Sequence, residues 1–267
     1  MSNETQALTW LVTGCSSGMG EALVRAILAE GDQWSQPSSS LKDAGAAVFD
    51  LDGTTPQDEL NAKAREIWDI YRKVDVLINN AGYIDAGIVE GFDEPFLINA
   101  PRTNAFAPLN LTRAFLPMMR ARKSGTVLFT SSVGVYYGAP GASCYTGGKG
   151  LIEVVVPNLA LELAAFGIRT SLLTYGYFRT EVMTPGNLQH RAPRQLPEYP
   201  DLNRLVVAGC AAANGNQPGD PRKAATVVVE AVKGTGRCQG KQLPLRLPIG
   251  KDVLQAIRKA CEERLTI

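Results

Sequence analysis

Histidine is nearly absent from this sequence: His190 is the single one in 267 residues. That sets aside a Ser-His-Asp hydrolase and most zinc sites, so no metal is expected, and His190 itself reads as an exposed loop residue. An excess of one charge is lacking too. With 27 basic against 26 acidic residues the formal net charge is +1, and no global field draws nucleic acid or an anionic membrane surface. No window approaches the roughly eighteen uninterrupted apolar residues of a membrane span, and the opening MSNETQALTW has no basic stretch leading into an apolar one. The five cysteines, Cys15, Cys144, Cys210, Cys238 and Cys261, are odd in number, widely spaced and free of any CxxC pair. These absences predict a soluble, cytoplasmic protein whose partners are small molecules, with neither nucleic acid nor membrane among them.

What is present suits one large α/β domain, with 45% of residues hydrophobic and 20% charged. Short apolar runs at 8–13, 46–51, 74–79, 126–131, 169–175 and 244–247 suit buried parallel strands. They alternate with segments of helical period at 20–30, 57–72, 102–122, 145–165, 222–233 and 252–264. This alternation predicts a single Rossmann-type domain over 1–267, a doubly wound parallel sheet in three α/β/α layers. The stretch 184–221 is rich in Pro, Asn, Gly and Gln, with a short apolar patch at 205–208. A connection of that length predicts a substrate lid, with disorder as the alternative.

The first strand runs into Thr13-Gly14-Cys15-Ser16-Ser17-Gly18-Met19-Gly20, and a helix follows. Glycines there let the backbone turn sharply and approach a ligand, and the helix start offers N–H groups and a positive dipole end to a phosphate. The pattern fits a dinucleotide pyrophosphate, with a merely tight turn as the alternative. Asp52 and Asn79 end strand candidates, where the ligand crevice of an open parallel sheet lies. They suit an adenine or ribose edge, and Ala81 and Gly82 leave room for a cofactor. The alternatives are a helix cap for Asp52 and a turn for Asn79-Asn80.

The strongest constellation is Ser132, Tyr145 thirteen residues later and Lys149 four further on. One helical turn puts the phenol and the ammonium on one face, and Ser132 closes a strand candidate beside them. A cation next to a phenol favours phenolate and lowers its pKa from the ordinary value of about 10. The alternatives are a solvated lysine and a half-buried aromatic.

TGCSSGMG, the NNAG at 79–82, Ser132 and the Tyr145/Lys149 pair together resemble the classical short-chain dehydrogenase/reductase family, in its order and spacing over nearly the whole chain. The resemblance implies NAD or NADP as cofactor, with NADP ahead, and hydride transfer to or from a carbinol carbon. It adds Asn104, in Pro-Arg-Thr-Asn-Ala-Phe, as the fourth catalytic residue, anchoring a water in a proton relay; a helix-surface polar residue is the alternative. Ser132 would hold the substrate oxygen, Tyr145 would transfer the proton, and Lys149 would lower the tyrosine pKa and bind the nicotinamide ribose. Phe178 and Thr180 match the loop that contacts nicotinamide. The family pairs through the helices at 102–122 and 145–165, implying a homodimer or homotetramer.

Against the family layout, residues 32–45 contain no β-branched residue, and Pro37 with three serines reads as loop, so the second strand is expected to be deleted. Neither a ribose-reading acid nor a phosphate-reading base is recognisable, and Asp32 and Lys42 fall out of place. Gly147-Gly148 inside the Tyr145/Lys149 turn and Pro157 mid-helix are expected to weaken the catalytic helix. Tyr175-Gly176 stands where the family has Pro-Gly. Retained chemistry on an altered scaffold points to a specialised oxidoreductase of secondary metabolism, acting on a ketone or secondary alcohol of a hydrophobic molecule. The other enzymatic reading uses the same acid/base pair for isomerisation, dehydration or cyclisation without net redox change.

Overall fold

The computed structural model describes residues 7–31, 33–35, 41, 46–184, 187 and 196–266. His190, Asp32, Pro37 and Lys42 lie outside the described residues. Six strands form one sheet: β1 (Thr9–Val12), β2 (Gln33–Ser35), β3 (Val76–Asn79), β4 (Gly125–Ser132), β5 (Ile168–Tyr175) and β6 (Arg246–Ile249). Their order is β2-β1-β3-β4-β5-β6, with every neighbouring pair parallel. The helices between them are α1 (Gly18–Ala29), α2 (Gln57–Tyr71), α3 (Glu94–Pro101), α4 (Ala107–Arg122), α5 (Ser143–Ala164), α6 (Pro200–Ala213), α7 (Pro221–Lys233) and α8 (Lys251–Leu265).

Strand alternation decides the layering. Trp10, Val12, Val76, Ile78 and Leu128 face one way and pack with Leu23 and Ile27 of α1 and Val228 of α7. Leu11, Leu77, Val127 and Phe129 face the other way, against Leu60 of α2, Phe115 of α4 and Ile152 of α5. A strand buried on both faces must be apolar at every position, and β1 and β3 are buried throughout. The order reverses between β1 and β3, so the crevice at their carboxyl ends is the expected ligand site.

The second strand is not deleted. Gln33, Trp34 and Ser35 pair in parallel with Thr9, Trp10 and Leu11. Ladder hydrogen bonds from β1 hold a segment whose own β propensity is weak. The run at 46–51 forms no strand of the sheet: Ala47 makes only an isolated bridge, while Phe49 and Leu51 pack against the second core cluster. Its apolar residues cover the core from a loop. The helix expected over 102–122 divides into α3, a five-residue π segment at Arg102–Phe106, and α4. Pro157 lies inside α5 without ending it. Within 184–221, α6 is a regular helix, and 185–186 and 188–195 lie outside the described residues. No helix among the described residues is long and apolar enough to cross a membrane.

Candidate active site

The loop after β1 is tied to the loop after β3. Thr13 Oγ1 accepts from the Asn80 and Ala81 N–H groups at 3.0 and 2.9 Å, and Asn80 Nδ2 donates to the Thr13 and Gly14 carbonyls, both at 3.0 Å. Gly14 has φ +64°, and a Cβ there would stand 2.7 Å from Ala81 Cα. A Cβ on Gly20 would collide with the Gly14 carbonyl and come within 2.7 Å of Asn80 Nδ2. The glycines are thus required by close backbone approach. Gly14, Ser16, Ser17, Ala81 and Gly82 are exposed at the carboxyl ends of β1 and β3, while Met19 is half-buried against the first core. Ser17, at the N-cap of α1, makes no capping bond from its side chain, leaving first-turn N–H groups to meet an anion. This is a cradle that side chains would fill, and it fits a pyrophosphate.

Asn104 is fully buried in the π segment, a local form that often marks functional sites. Its Oδ1 accepts from Tyr83 N at 3.2 Å and its Nδ2 donates to Tyr83 O at 3.0 Å, so the orientation of the amide is fixed. The surface-polar alternative for this residue is excluded. A Cβ on Gly82 would stand 2.6 Å from Asn104 Oδ1 and 3.4 Å from Lys149 Nζ, and one on Gly148 would stand 3.1 Å from Asn104 Cβ. Gly148 therefore lets α5 approach the π segment; it is a packing requirement, not a weakness of the support. A Cβ on Gly147 would meet open space.

Lys149 is 4% exposed, donates to the Thr130 carbonyl at 2.9 Å and sits 6.0 Å from the centroid of the Tyr145 ring. Burial depresses its pKa to about 8. Ser132 closes β4, its hydroxyl accepting from Gly134 N at 3.2 Å, and it shares a side-chain hydrogen bond with Tyr145. The Tyr145 pKa is raised, first by burial; the Ser132 bond opposes this, and the nearby Tyr177 reinforces it. The direction expected from an adjacent lysine, a lowered phenol pKa, is not the direction found here: loss of water raises it. The structure brings Asn104 and Lys149 together at Gly82, with the Tyr145 ring next to Lys149 and Ser132 bonded to Tyr145.

Asn79 and Asp52 each make contacts within the chain. Asn79 is 4% exposed and donates to Thr112 Oγ1 of α4 at 3.0 Å. Asp52 is exposed and accepts from the N–H and hydroxyl of Thr54 at 2.8 and 2.7 Å, an Asx-type turn that lowers its pKa. Phe178 packs edge-on against Tyr175, ring centroids 5.7 Å apart, and pairs through a bridge with Gly219. Thr180 faces the glycine loop, its Cβ 3.2 Å from a Cβ built on Gly18.

Sequence reading overlooked Tyr137 and Tyr177, whose hydroxyls lie 2.5 Å apart beside Tyr145. It also overlooked Asp252, which accepts from Tyr177 N at 2.6 Å. Their only sequence signal is proximity to Ser132 and to Tyr175-Gly176.

A crossover point with a glycine cradle, and an Asn-Ser-Tyr-Lys group in which Asn104 and Lys149 are buried and Ser132 and Tyr145 half-buried, defines a dinucleotide-dependent oxidoreductase of the Rossmann type. Residues 9–190 match the family model described as short chain dehydrogenase, and the chain belongs to that family. It is an NAD(P)-dependent short-chain dehydrogenase/reductase. It is 30% identical over 267 residues to "Oxidoreductase BOA17" of Botryotinia fuckeliana, covering 95% of this chain and 92% of that protein. It is 34% identical over 190 residues to "Oxidoreductase claN" of Passalora fulva, covering 67% of this chain and 85% of that one. A solved short-chain dehydrogenase from Streptomyces avermitilis superposes with a TM-score of 0.82 at 32% identity, covering 97% of this chain and 94% of that chain. At 19% identity and TM-score 0.79, a Burkholderia phymatum structure in complex with NAD shares the fold, covering 97% and 95%.

Proposed function

We propose that this chain reduces the ketone of a hydrophobic small molecule to a secondary alcohol, with Asn104, Ser132, Tyr145 and Lys149 as its catalytic residues. The observation that carries this reading is the convergence of Asn104, Lys149 and Gly82, with Ser132 bonded to Tyr145 next to them. When bound, the nicotinamide cofactor supplies the hydride, which no amino-acid side chain can donate.

The chain's own residues do the rest. Gly14, Ser16, Ser17, Gly18, Met19 and Gly20 form the pyrophosphate cradle. Asp52, Asn79, Ala81 and Gly82 shape the adenine and ribose side, Asn79 through its hold on α4. Phe178 and Thr180 border the nicotinamide, and Tyr145 and Lys149 its ribose. Ser132 hydrogen-bonds the substrate oxygen, and Tyr145 gives its proton to that oxygen as negative charge develops there. Asn104, its amide fixed by Tyr83, orients the water that returns the proton.

Support for a hydrophobic substrate comes from α6, whose Val206 packs over Gly141 just before α5, while Leu205 and Val207 are exposed. Tyr199 at its start donates to Glu90 at 2.6 Å, a tie that supports reading α6 as a substrate lid. We place the protein in the cytoplasm, since none of its five cysteines forms a disulfide. A role in secondary metabolism and a homodimer or homotetramer through α4 and α5 belong to the same proposal. Exposed Val154 and Leu161 on α5 support that pairing.

Tyr145→Phe tests the assignment. It keeps the ring and removes the proton, so NADPH-dependent ketone reduction should fall by about 10²–10⁴ with little change in melting temperature. Near-normal turnover in this variant overturns the assignment. Absence of binding to either nicotinamide cofactor would instead favour isomerisation, dehydration or cyclisation.

A further inference from the structure

Tyr137 and Tyr177 come from separate elements and meet at the reacting residue. Tyr137 follows the short 3-10 turn that Ser132 begins, and Tyr177 follows β5. Each residue is 38% exposed, and their hydroxyls lie 2.5 Å apart. Both interact electrostatically with Tyr145. The Tyr177 backbone is fixed at both ends: Asp252 Oδ2 accepts from its N–H at 2.6 Å, and its carbonyl accepts from Gly219 N at 2.9 Å. A side chain on Gly176 would collide with the Asp252 carboxylate, so glycine is needed for that carboxylate to reach the next N–H.

Two hydroxyls in contact use one proton between them. Whichever donates, the other keeps an O–H with no partner in the pair, and both retain lone pairs. The exposed edge of this pair therefore offers a donor and an acceptor beside the reacting centre, with the Tyr177 backbone held from both sides.

We propose that Tyr137 and Tyr177 form a second polar anchor in the substrate cleft, which selects ketones carrying an additional hydroxyl or carbonyl oxygen away from the carbon that is reduced. The proposal rests on the ketone-reductase reading and narrows its substrate class to oxygenated hydrophobic ketones. A site built to hydrogen-bond a substrate oxygen discriminates strongly against the analogue that lacks it, because its own polar groups are then left unpaired.

The test uses the full-length protein, with tetralone and its ring-hydroxylated isomers as probes, measured by calorimetric binding in the presence and absence of NADPH and by turnover. At least one hydroxytetralone should bind about tenfold more tightly than tetralone itself. Tyr137→Phe and Tyr177→Phe should each abolish that preference while leaving tetralone binding within about twofold, and the double variant should lose no more than either single one. The proposal is overturned if no isomer binds better than tetralone, if the preference survives in the double variant, or if the variants weaken tetralone equally. A preference that the variants remove, in a protein that turns over no ketone with either cofactor, upholds the anchor and rejects the reductase reading.

Discussion

Arg246 donates through Nη2 to the main-chain oxygen of Glu153 at 3.2 Å and through Nε to the Glu153 carboxylate at 3.1 Å. Glu153 lies four residues before Pro157, so its carbonyl would ordinarily accept from the N–H that proline lacks. A guanidinium on the sheet edge supplies the missing donor, and Thr174 Oγ1 donates to the other carboxylate oxygen at 3.2 Å. The catalytic helix thus passes through its proline unbroken.

Arg246→Met should lower stability by about 1–3 kcal/mol, through the orphaned carbonyl and through the loss of the cation beside a Glu153 side chain that is 11% exposed. In a Pro157→Ala background the helix regains its own donor, and the cost of Arg246→Met should shrink by about 1 kcal/mol. Urea denaturation of the four proteins measures it. Equal costs in both backgrounds would show that Arg246 does not replace the helix donor.

Gly147 and Gly148 are neighbours with opposite expected responses. Gly147→Ala adds a methyl to open space in a helix and should raise stability by up to about 1 kcal/mol without harming turnover. Gly148→Ala drives its methyl toward Asn104 and should lower turnover at least tenfold in a protein that still folds. Thermal melts and steady-state rates distinguish the two, and a fully active Gly148→Ala would show that the π segment tolerates displacement.

Burial of Lys149 gives stability a definite pH dependence. Its folded pKa of about 8 is below the ordinary 10.5, so between these values the unfolded chain binds more protons. The penalty for burying the ammonium is full below pH 8 and is relieved as pH rises toward 10.5, by about 3 kcal/mol in total. Raised tyrosine pKa values act oppositely above pH 10, so the comparison is made with Lys149→Met, which keeps them. The unfolding free energy of the wild type should gain on the variant across this window. Parallel profiles would show that the ammonium is solvated in the folded state.

Cofactor discrimination should be weak. β2 carries Gln33, Trp34 and Ser35, with neither the acid that would bind ribose hydroxyls nor a base for a ribose phosphate. One charge-assisted contact separates the two cofactors by roughly tenfold to a hundredfold, so a ratio of dissociation constants below about tenfold is expected, with NADPH ahead. Titration of both at fixed salt gives the ratio. A larger preference would show that another segment reads the phosphate.

Much of the site is legible in the sequence because its parts are set by short spacings: Ser132 at a strand end, Tyr145 and Lys149 one turn apart, Gly14 to Gly20 across one turn. Local geometry alone brings such residues together. What is not legible depends on partners distant in the chain. β2 exists because Thr9 to Leu11 offer it a ladder, which no reading of 33–35 reveals. The run at 46–51 has the hydrophobicity of a strand without a full ladder. Asn79 turns to Thr112, thirty-three residues away, and Tyr137 meets Tyr177 across forty. The π segment at Asn104 gives no periodicity signal beyond Pro101 and Pro108, which remove backbone donors on either side of it.

β6 bounds one side of the sheet and has its own bearing on how the protein behaves when concentrated. The Leu245 carbonyl accepts from Leu172 of β5 and the Ile249 carbonyl from Gly176 just past it, so by the two-residue alternation of a strand the backbone groups of Arg246 and Pro248 point away from the sheet. One of those positions has no N–H, and the other carries a charged side chain. A foreign strand laid along this rim would find one of its acceptors unanswered in a four-residue stretch. The rim is therefore a poor template for sheet extension, which disfavours fibrillar self-association along β6 even where the native fold is crowded.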